Sequence, residues 1–485
     1  MTASTSGLFS ERVPEQISQR NSKTSELSSV LTVLAVALTF LIWTIWSYWL
    51  FQYPMKIGHD DALFFARGIE HFSVVEISPH FPGYPGFIAL ASVLSIFTTP
   101  ESAVVLTSLI SAVILPWLLA LLFMELSGKD YTPVAVLFLI SFIILQPLLA
   151  GMALSGLTDL TGLAFFIASL IGCYKKRNLL AGLMLGMMLA CRPSFFPLAI
   201  GLLIALPLIT DRQHLLTTYG KGLLGVILVA VPCLLFVLAK DGFAYFEEGL
   251  RFTQGHFQIW GNTVSSSLPN WQQWLNTLVT AFSWPFIAVT LLSLTVGLIQ
   301  CSSRFITLII VVYLGWILLA QNPDNLRHFA PVLLLWLSVL TFQLQQLIVI
   351  FKTILSLVIA TVYLSLFTSQ ISFAVLDAPA QQATDWFKEH SQSPEKDFNR
   401  RVLGTNYAVS TLREELPDWQ IYDMYYPSSE LVLRQQQGYR LSGTKQTDLQ
   451  LIAEFPGRFT GEKKLYLYQY AKPVSRMTGR SIDTP

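Results

Sequence analysis

The chain has 485 residues, of which 53% are hydrophobic and only 13% are charged. A soluble protein of this length carries about a quarter charged residues, so the composition excludes an ordinary soluble enzyme. The formal net charge is +1, which provides no broad basic surface, and we expect no nucleic-acid partner.

The chain opens on a polar, serine-rich stretch and then becomes strongly apolar. Residues 1–28 are predicted to be a flexible cytoplasmic tail, because they are polar and no small-residue cleavage site follows. Apolar runs then recur from residue 29 to residue 376, each near the roughly 20 residues that a helix needs to cross a bilayer. They predict an all-α polytopic membrane bundle of about 11 to 13 transmembrane helices over 29–376.

Residues 51–83 separate the first two apolar runs and are predicted to be the first loop outside the membrane. The loop contains "GHDDALFFARGIEHF", in which "ALFFARGIEHF" predicts a short helix along the membrane surface. The "PGYPG" stretch follows and predicts a tight turn into the next apolar run, since Pro restricts φ and Gly tolerates strained backbone.

The composition changes after Asp377, where charged and polar residues become frequent. The segments "RVLGTN", "QIYDMYY", "LQLIAEF" and "KKLYLYQY" predict strands, and "AQQATDWFKEHSQ" and "YAVSTLREEL" predict helices. Residues 377–485 are therefore predicted to form a small soluble α/β or α+β domain.

Lys and Arg in short loops indicate the orientation, because cytoplasmic loops carry an excess of both. The "KKR" stretch at 175–177 is the best cytoplasmic marker, and counting crossings from it places loops 240–273 and 321–328 and the C-terminal domain outside. Before "KKR" the apolar runs are even in number where an odd number of crossings is needed. Either one run is a half-span, or the tail lies outside. We expect a multi-pass protein of the bacterial inner (plasma) membrane, with its active site and C-terminal domain outside the cytoplasm.

Acidic and basic residues collect on the predicted outer face. Asp60 and Asp61 are the catalytic candidates, because a carboxylate can deprotonate an acceptor or hold a divalent metal. Arg192, Arg327 and His328 are candidates for binding a phosphate, which arginine clamps through paired charge-assisted hydrogen bonds. A lipid carrier with a phosphate head would suit such a face, its tail lying between the helices.

Each candidate also has a structural alternative. Adjacent acids often begin a solvated helix, where they cap its N-terminus and suit its dipole. Asp159 lies within an apolar run and either faces the cavity or pairs with a neighbouring helix. His80 and Glu76 are further candidates for lining the cavity, although either could be an ordinary surface residue.

The order of several motifs resembles the GT-C superfamily of membrane glycosyltransferases, which contains protein O-mannosyltransferases and lipid A aminoarabinose transferases. The motifs are "GHDDALFFARGIEHF", "HFPGYPGFIAL", "LSGLTDLTGLAFF", "AGLMLGMMLACRPS" and "NPDNLRHFAPVLLLW". Together they cover roughly residues 29–350. The resemblance implies a catalytic or metal-holding acid in the first outside loop and arginines, here Arg192 and Arg327, that meet the donor phosphate. Members often carry an acidic or basic residue before the paired prolines, whereas this chain reads "SPHFPGYP".

The resemblance implies a glycosyltransferase that moves a sugar from a polyprenyl-phosphate donor to a lipid, glycan or protein acceptor. Its partners would be that donor, membrane lipids and an acceptor that the sequence does not identify. Of the two acids, we expect Asp60 to be the base. The alternative is a transporter or flippase of a lipid-linked or small polar substrate. A transporter usually shows inverted repeats with interrupted helices, which this sequence does not display.

Overall fold

The structure is a computed structural model, and it describes residues 13–255, 268–347, 375–391, 401–459 and 462–470, with the single positions 354, 358 and 361. Side chains are described from residue 29 onward. The apolar run predicted at 353–375 lies largely outside the described residues. The same holds for part of loop 240–273 and for 471–485.

Helices α1 to α14 make up the membrane part of the described chain. They are α1 (Val13–Leu50), α2 (Asp60–Glu70), α3 (Pro85–Ser95), α4 (Pro100–Ser127), α5 (Pro133–Ile144), α6 (Pro147–Ala153), α7 (Asp159–Tyr174), α8 (Asn178–Cys191), α9 (Phe196–Ala205), α10 (Leu215–Asp241), α11 (Ala244–Gly255), α12 (Asn270–Ile299), α13 (Cys301–Ala320) and α14 (Ala330–Gln345). Because α1 begins at Val13, residues 13–28 of the predicted flexible tail are helical.

Six helices in the described chain are long and apolar enough to cross a membrane, and α5 with α6 makes a seventh if this bent pair is one span. Four shorter apolar helices, at 85–95, 159–174, 178–191 and 193–208, lie between them. The described chain thus contains eleven apolar segments, of which six or seven are long enough to count as spans, against the 11 to 13 transmembrane helices predicted. The chain is a multi-pass helical membrane protein.

Helices α4 and α14 form the centre of the bundle. Helix α4 contacts α2, α3, α5, α6, α7 and α14. Helix α14 is apolar on all sides, as expected of a helix enclosed by others, and Leu335 and Leu337 are completely buried. Several helices begin with Pro in their first turn, where its missing N–H costs nothing, and Thr99 and Thr132 cap α4 and α5.

In the residues that the structure describes, the C-terminal domain is a five-stranded mixed sheet with three helices. Its elements are α15 (Pro379–Ser391), β1 (Val402–Thr405), α16 (Val409–Glu415), β2 (Gln420–Asp423), α17 (Pro427–Gln436), β3 (Tyr439–Ser442), β4 (Gln450–Phe455) and β5 (Leu465–Gln469). The strand order is β2-β1-β3-β5-β4; β1 pairs in parallel with β2 and β3, and β5 pairs antiparallel with β3 and β4.

The four predicted strands and two predicted helices of this domain are all found. The prediction missed β3 and α17, which complete the sheet and cover it. The predicted class, a helical membrane bundle with a small α/β or α+β domain, is confirmed.

Candidate active site

The two adjacent acids begin α2 and point to different partners. One Asp60 carboxylate oxygen accepts hydrogen bonds from the backbone N–H of Thr411 at 2.9 Å and from its hydroxyl at 3.0 Å. Thr411 lies in the first turn of α16, so Asp60 satisfies a helix N-terminus in the other domain. Asp60, the residue expected to be the base, therefore helps to hold the two domains together, and it also lines the cavity that contains Asp61.

Asp61 instead faces two basic side chains. Its carboxylate oxygens lie 4.0 Å from His80 Nδ1 and 3.6 Å from an Arg327 terminal nitrogen, and 39% of its side chain stays exposed. Burial alone would raise the pKa of Asp61, but the interactions with the His80 ring and the Arg327 guanidinium outweigh it and hold the pKa below its usual value. Asp61 is thus an ionised carboxylate with accessible surface.

Two aromatic side chains and a hydroxyl group hold the His80 ring beside Asp61. Its ring stacks on Phe252 of α11 and lies against Phe65 of α2, and its Nε2 is 3.1 Å from the Tyr84 hydroxyl. Burial raises the pKa of Tyr84 to about 12, so the phenol stays protonated and can donate to Nε2. Burial also lowers the pKa of His80, which favours a neutral ring with its proton on Nδ1, toward Asp61.

The loop that carries His80 is fixed at several points. The carboxylate of Asp241, at the end of α10, accepts from the Ser73 hydroxyl at 2.7 Å and from the Val74 N–H at 2.6 Å. Gly83 has φ +92°, and a Cβ there would lie 2.8 Å from Val74, so glycine is required in this turn. The tight turn predicted from "PGYPG" is present, and it directs Tyr84 toward His80.

Arg192 forms a buried ion pair with Asp159. An Arg192 terminal nitrogen lies 2.9 Å from an Asp159 oxygen, with side-chain exposures of 7% and 2%. The other terminal nitrogen donates to Thr158 at 3.4 Å, and the guanidinium lies over the Phe195 ring. Of the two alternatives considered for Asp159, facing the cavity or pairing with a neighbouring helix, the structure shows the pairing. Arg192 is therefore ion-paired with a carboxylate, whereas the sequence analysis expected its guanidinium to be available to a phosphate.

Arg327 belongs to a 3₁₀ turn, Leu326–Phe329, that leads into α14. Beyond its contact with Asp61, its Nε is buried and has no hydrogen-bond partner among the described residues. Arg327 and Asp61 both line a cavity of about 290 Å³ between the membrane helices and the C-terminal domain. A buried, unused donor beside a cavity suits an anionic ligand.

Two other candidates take different positions. His328 is buried beside Arg327 and does not appear in the lining of this cavity. Glu76 was predicted as a cavity-lining residue, but it is exposed and pairs with His71 at 3.2 Å. The reason is local, because Glu76 lies in the outward-facing part of the Ser73–Ser78 hairpin.

The C-terminal domain contributes residues that sequence reasoning missed. Tyr407 and Lys463 line the same cavity as Asp61 and Arg327, and Asp324 joins them from the loop before the 3₁₀ turn. The segment "KKLYLYQY" gave a signal for a strand but none for a site, since adjacent lysines usually mark a solvated edge.

The described residues form no metal site around the two acids. The described residues contain no group of three or more His, Cys, Asp or Glu side chains placed to hold a metal ion. Asp60 is bound to Thr411, and Asp61 faces a guanidinium whose charge opposes a cation beside it.

Comparison with known proteins finds no matching family model and no matching curated sequence. Several solved structures, however, have a similar fold. ArnT from Cupriavidus metallidurans bound to undecaprenyl phosphate superposes with TM-score 0.51 at 12% identity, over 92% of this chain and 99% of that one. Its apo state gives TM-score 0.52 at 11% identity, with the same coverage. The apo oligosaccharyltransferase of Archaeoglobus fulgidus gives TM-score 0.51 at 12% identity, over 84% of this chain and 69% of that one.

These similarities concern the fold of the chain. The chain has the same fold as ArnT and the archaeal oligosaccharyltransferase, which agrees with the fold that the resemblance of its motifs implies. At this level of identity the comparison concerns architecture alone, and the chemistry has to be argued from the cavity.

Proposed function

We propose that this protein is a glycosyltransferase that uses a polyprenyl-phosphate sugar as donor and works on the extracytoplasmic face of the membrane. The observation that carries the proposal is the cavity in which Asp61 and Arg327 lie side by side at 3.6 Å. An ionised carboxylate and a guanidinium with an unused donor are the two groups that such a transfer needs. The fold shared with ArnT and the oligosaccharyltransferase supports the same class.

Asp61 is assigned as the base and Arg327 as the phosphate ligand. The acceptor hydroxyl or amine loses its proton to Asp61 as its oxygen or nitrogen bonds to the anomeric carbon. The bond from that carbon to the phosphate oxygen breaks, and polyprenyl phosphate leaves with the electron pair. Arg327 stabilises the negative charge that develops on the leaving phosphate. His80, held by Tyr84, keeps the Asp61 carboxylate in place.

Asp61→Asn should lower sugar transfer by about 10²- to 10⁴-fold, because the amide keeps the shape of the side chain but cannot accept the proton. Asp60→Asn is the matched control. It changes the neighbouring acid in the same way, and its amide oxygen can still accept from Thr411. The measurement is the rate of transfer from a polyprenyl-phosphate sugar by purified, folded protein, with thermal melting to check the fold.

Two results would count against this assignment. If Asp60→Asn loses transfer and Asp61→Asn keeps it, the base is Asp60, as the sequence alone suggested. If the folded double variant transfers sugar at the normal rate, this cavity is not the catalytic site, and the transporter alternative gains weight.

A further inference from the structure

Lys463 brings a second cation to the cavity from the other domain. It lies two residues before β5, and its ammonium is 2.9 Å from the Tyr407 hydroxyl and 3.5 Å from an Asp324 oxygen. Both of those residues line the cavity with Asp61 and Arg327. The ammonium therefore lies at the cavity wall, with one of its three N–H donors left beyond these two contacts.

The C-terminal domain is built to hold Lys463 in this position. The ammonium lies 5.0 Å from the centre of the Tyr407 ring, a cation–π distance. A Cβ at residue 443 would come within 2.7 Å of that ring, so Gly443 leaves the room that the Tyr407 side chain occupies. Burial alone would lower the pKa of Lys463, but Tyr407 and Asp324 outweigh it and keep the ammonium charged.

The partner of Lys463 on the membrane side can be displaced. Asp324 has 70% of its side chain exposed, and its 3.5 Å contact crosses between a membrane loop and the C-terminal domain. An exposed pair of this kind contributes little stability, and a ligand anion that enters the cavity competes for the same ammonium. The Asp324 carboxylate would then turn outward into solvent.

We propose that Lys463 is the second cation for the donor phosphate, so that the anion is held between Arg327 of the membrane domain and Lys463 of the C-terminal domain. This assignment rests on the proposed function and adds to it that the binding site is complete only when the C-terminal domain is docked. The C-terminal domain is then part of the active site, in addition to any role in recognising the acceptor.

Binding of undecaprenyl phosphate to the full-length purified protein tests this assignment, with uncharged undecaprenol as the reference lipid and inorganic phosphate as competitor. Lys463→Gln should weaken undecaprenyl phosphate binding by about 10- to 100-fold, the loss expected for one charge-assisted hydrogen bond, and leave undecaprenol binding unchanged. Lys464→Gln is the matched control: it removes the adjacent positive charge, which pairs with Glu454 on β4 and not with the cavity.

Asp324→Asn separates a ligand role from a structural one. If Lys463 holds the anion, removing its competing carboxylate should leave affinity unchanged or tighten it. If the Lys463–Asp324 contact only joins the domains, both variants should weaken binding alike, and the proposal fails. It also fails if Lys463→Gln binds undecaprenyl phosphate as Lys464→Gln does.

The failure of the proposed function would look different. Wild-type protein would then bind undecaprenyl phosphate no better than undecaprenol, and inorganic phosphate would not compete. A wild-type preference for the phosphate that is lost in Arg327→Gln but kept in Lys463→Gln would overturn only the assignment of Lys463.

Discussion

The two arginines predicted to bind phosphate differ in burial and in how fully their donors are paired. Arg192 lies against the Asp159 carboxylate at 2.9 Å and is almost fully buried. Arg327 has one 3.6 Å contact with Asp61 and a buried Nε without a partner among the described residues. The Arg192 guanidinium is already paired with a carboxylate, whereas Arg327 keeps a donor with which it can bind an anion. At the scale of single residues, the structure separates an arginine that is ion-paired in a buried site from one that lines the cavity and keeps an unused donor.

Arg192→Met should therefore destabilise the protein by about 3–5 kcal/mol, since it leaves Asp159 as an uncompensated buried charge. The double variant Arg192→Met/Asp159→Leu should recover most of that loss, because neither charge then remains. Arg327→Gln, at the partly exposed site, should melt close to wild type. Thermal melting of the purified proteins measures all three. A wild-type melting temperature for Arg192→Met would show that the ion pair does not stabilise the bundle.

At the scale of elements, α2 and α16 form the junction that positions the cavity. The N-terminus of α2 supplies Asp60 to the first turn of α16, and Arg67 near its end pairs with Glu414 of α16. Nearby, the Gln381 amide of α15 donates to the Ile57 carbonyl at 2.8 Å. Helix α2 thus contacts the C-terminal domain through Asp60 and Arg67. Asp61, in the first turn of α2, lines the cavity.

Asp60→Ala should loosen α16 without unfolding the domain. The loss of a capping carboxylate costs about 1 kcal/mol, which corresponds to roughly fivefold faster amide exchange when exchange follows local opening. Hydrogen exchange should rise in residues 409–415 and stay unchanged in α17, which has no contact with Asp60 among the described residues. Thr411→Val removes one of the two hydrogen bonds and should give a smaller increase. Equal exchange in wild type and Asp60→Ala would mean that the cap is not formed in solution.

Sequence patterns predicted what depends on local spacing. They gave the α2 helix, the turn at 83–84 and four strands, because each follows from a short run of residues. They missed β3, which has only four residues and depends on β1 and β5 for its hydrogen bonds. They did not reveal the hydrogen bond between Asp60 and Thr411, because the two residues are 351 positions apart and leave no local signal. Lys463 was missed for the same reason, since its role depends on how the domains dock.

At the scale of the whole molecule, the contacts place three separate segments at one end of the bundle. The first loop, the 321–328 loop and the C-terminal domain meet through Asp61–Arg327 and Asp324–Lys463. The Asp159–Arg192 pair joins the start of α7 to the end of α8. Helix α7 has 16 residues, so the "KKR" turn at its other end lies about 24 Å away. The "KKR" turn thus lies at the opposite end of α7 from the Asp159–Arg192 pair, and the side of the membrane that each end faces stays a prediction.

Labelling with an impermeant thiol reagent tests that orientation in a background without the four native cysteines. Glu76→Cys, in the first loop, and Leu431→Cys, in the C-terminal domain, are at exposed positions and should both react in intact cells. Lys176→Cys, in the "KKR" turn, is equally exposed and should react only after permeabilisation. Its reaction in intact cells, with the other two protected, would reverse the orientation and place the cavity in the cytoplasm. Reaction of the first two from opposite sides would contradict the docking of the C-terminal domain on the first loop, since Asp60 could then not reach Thr411.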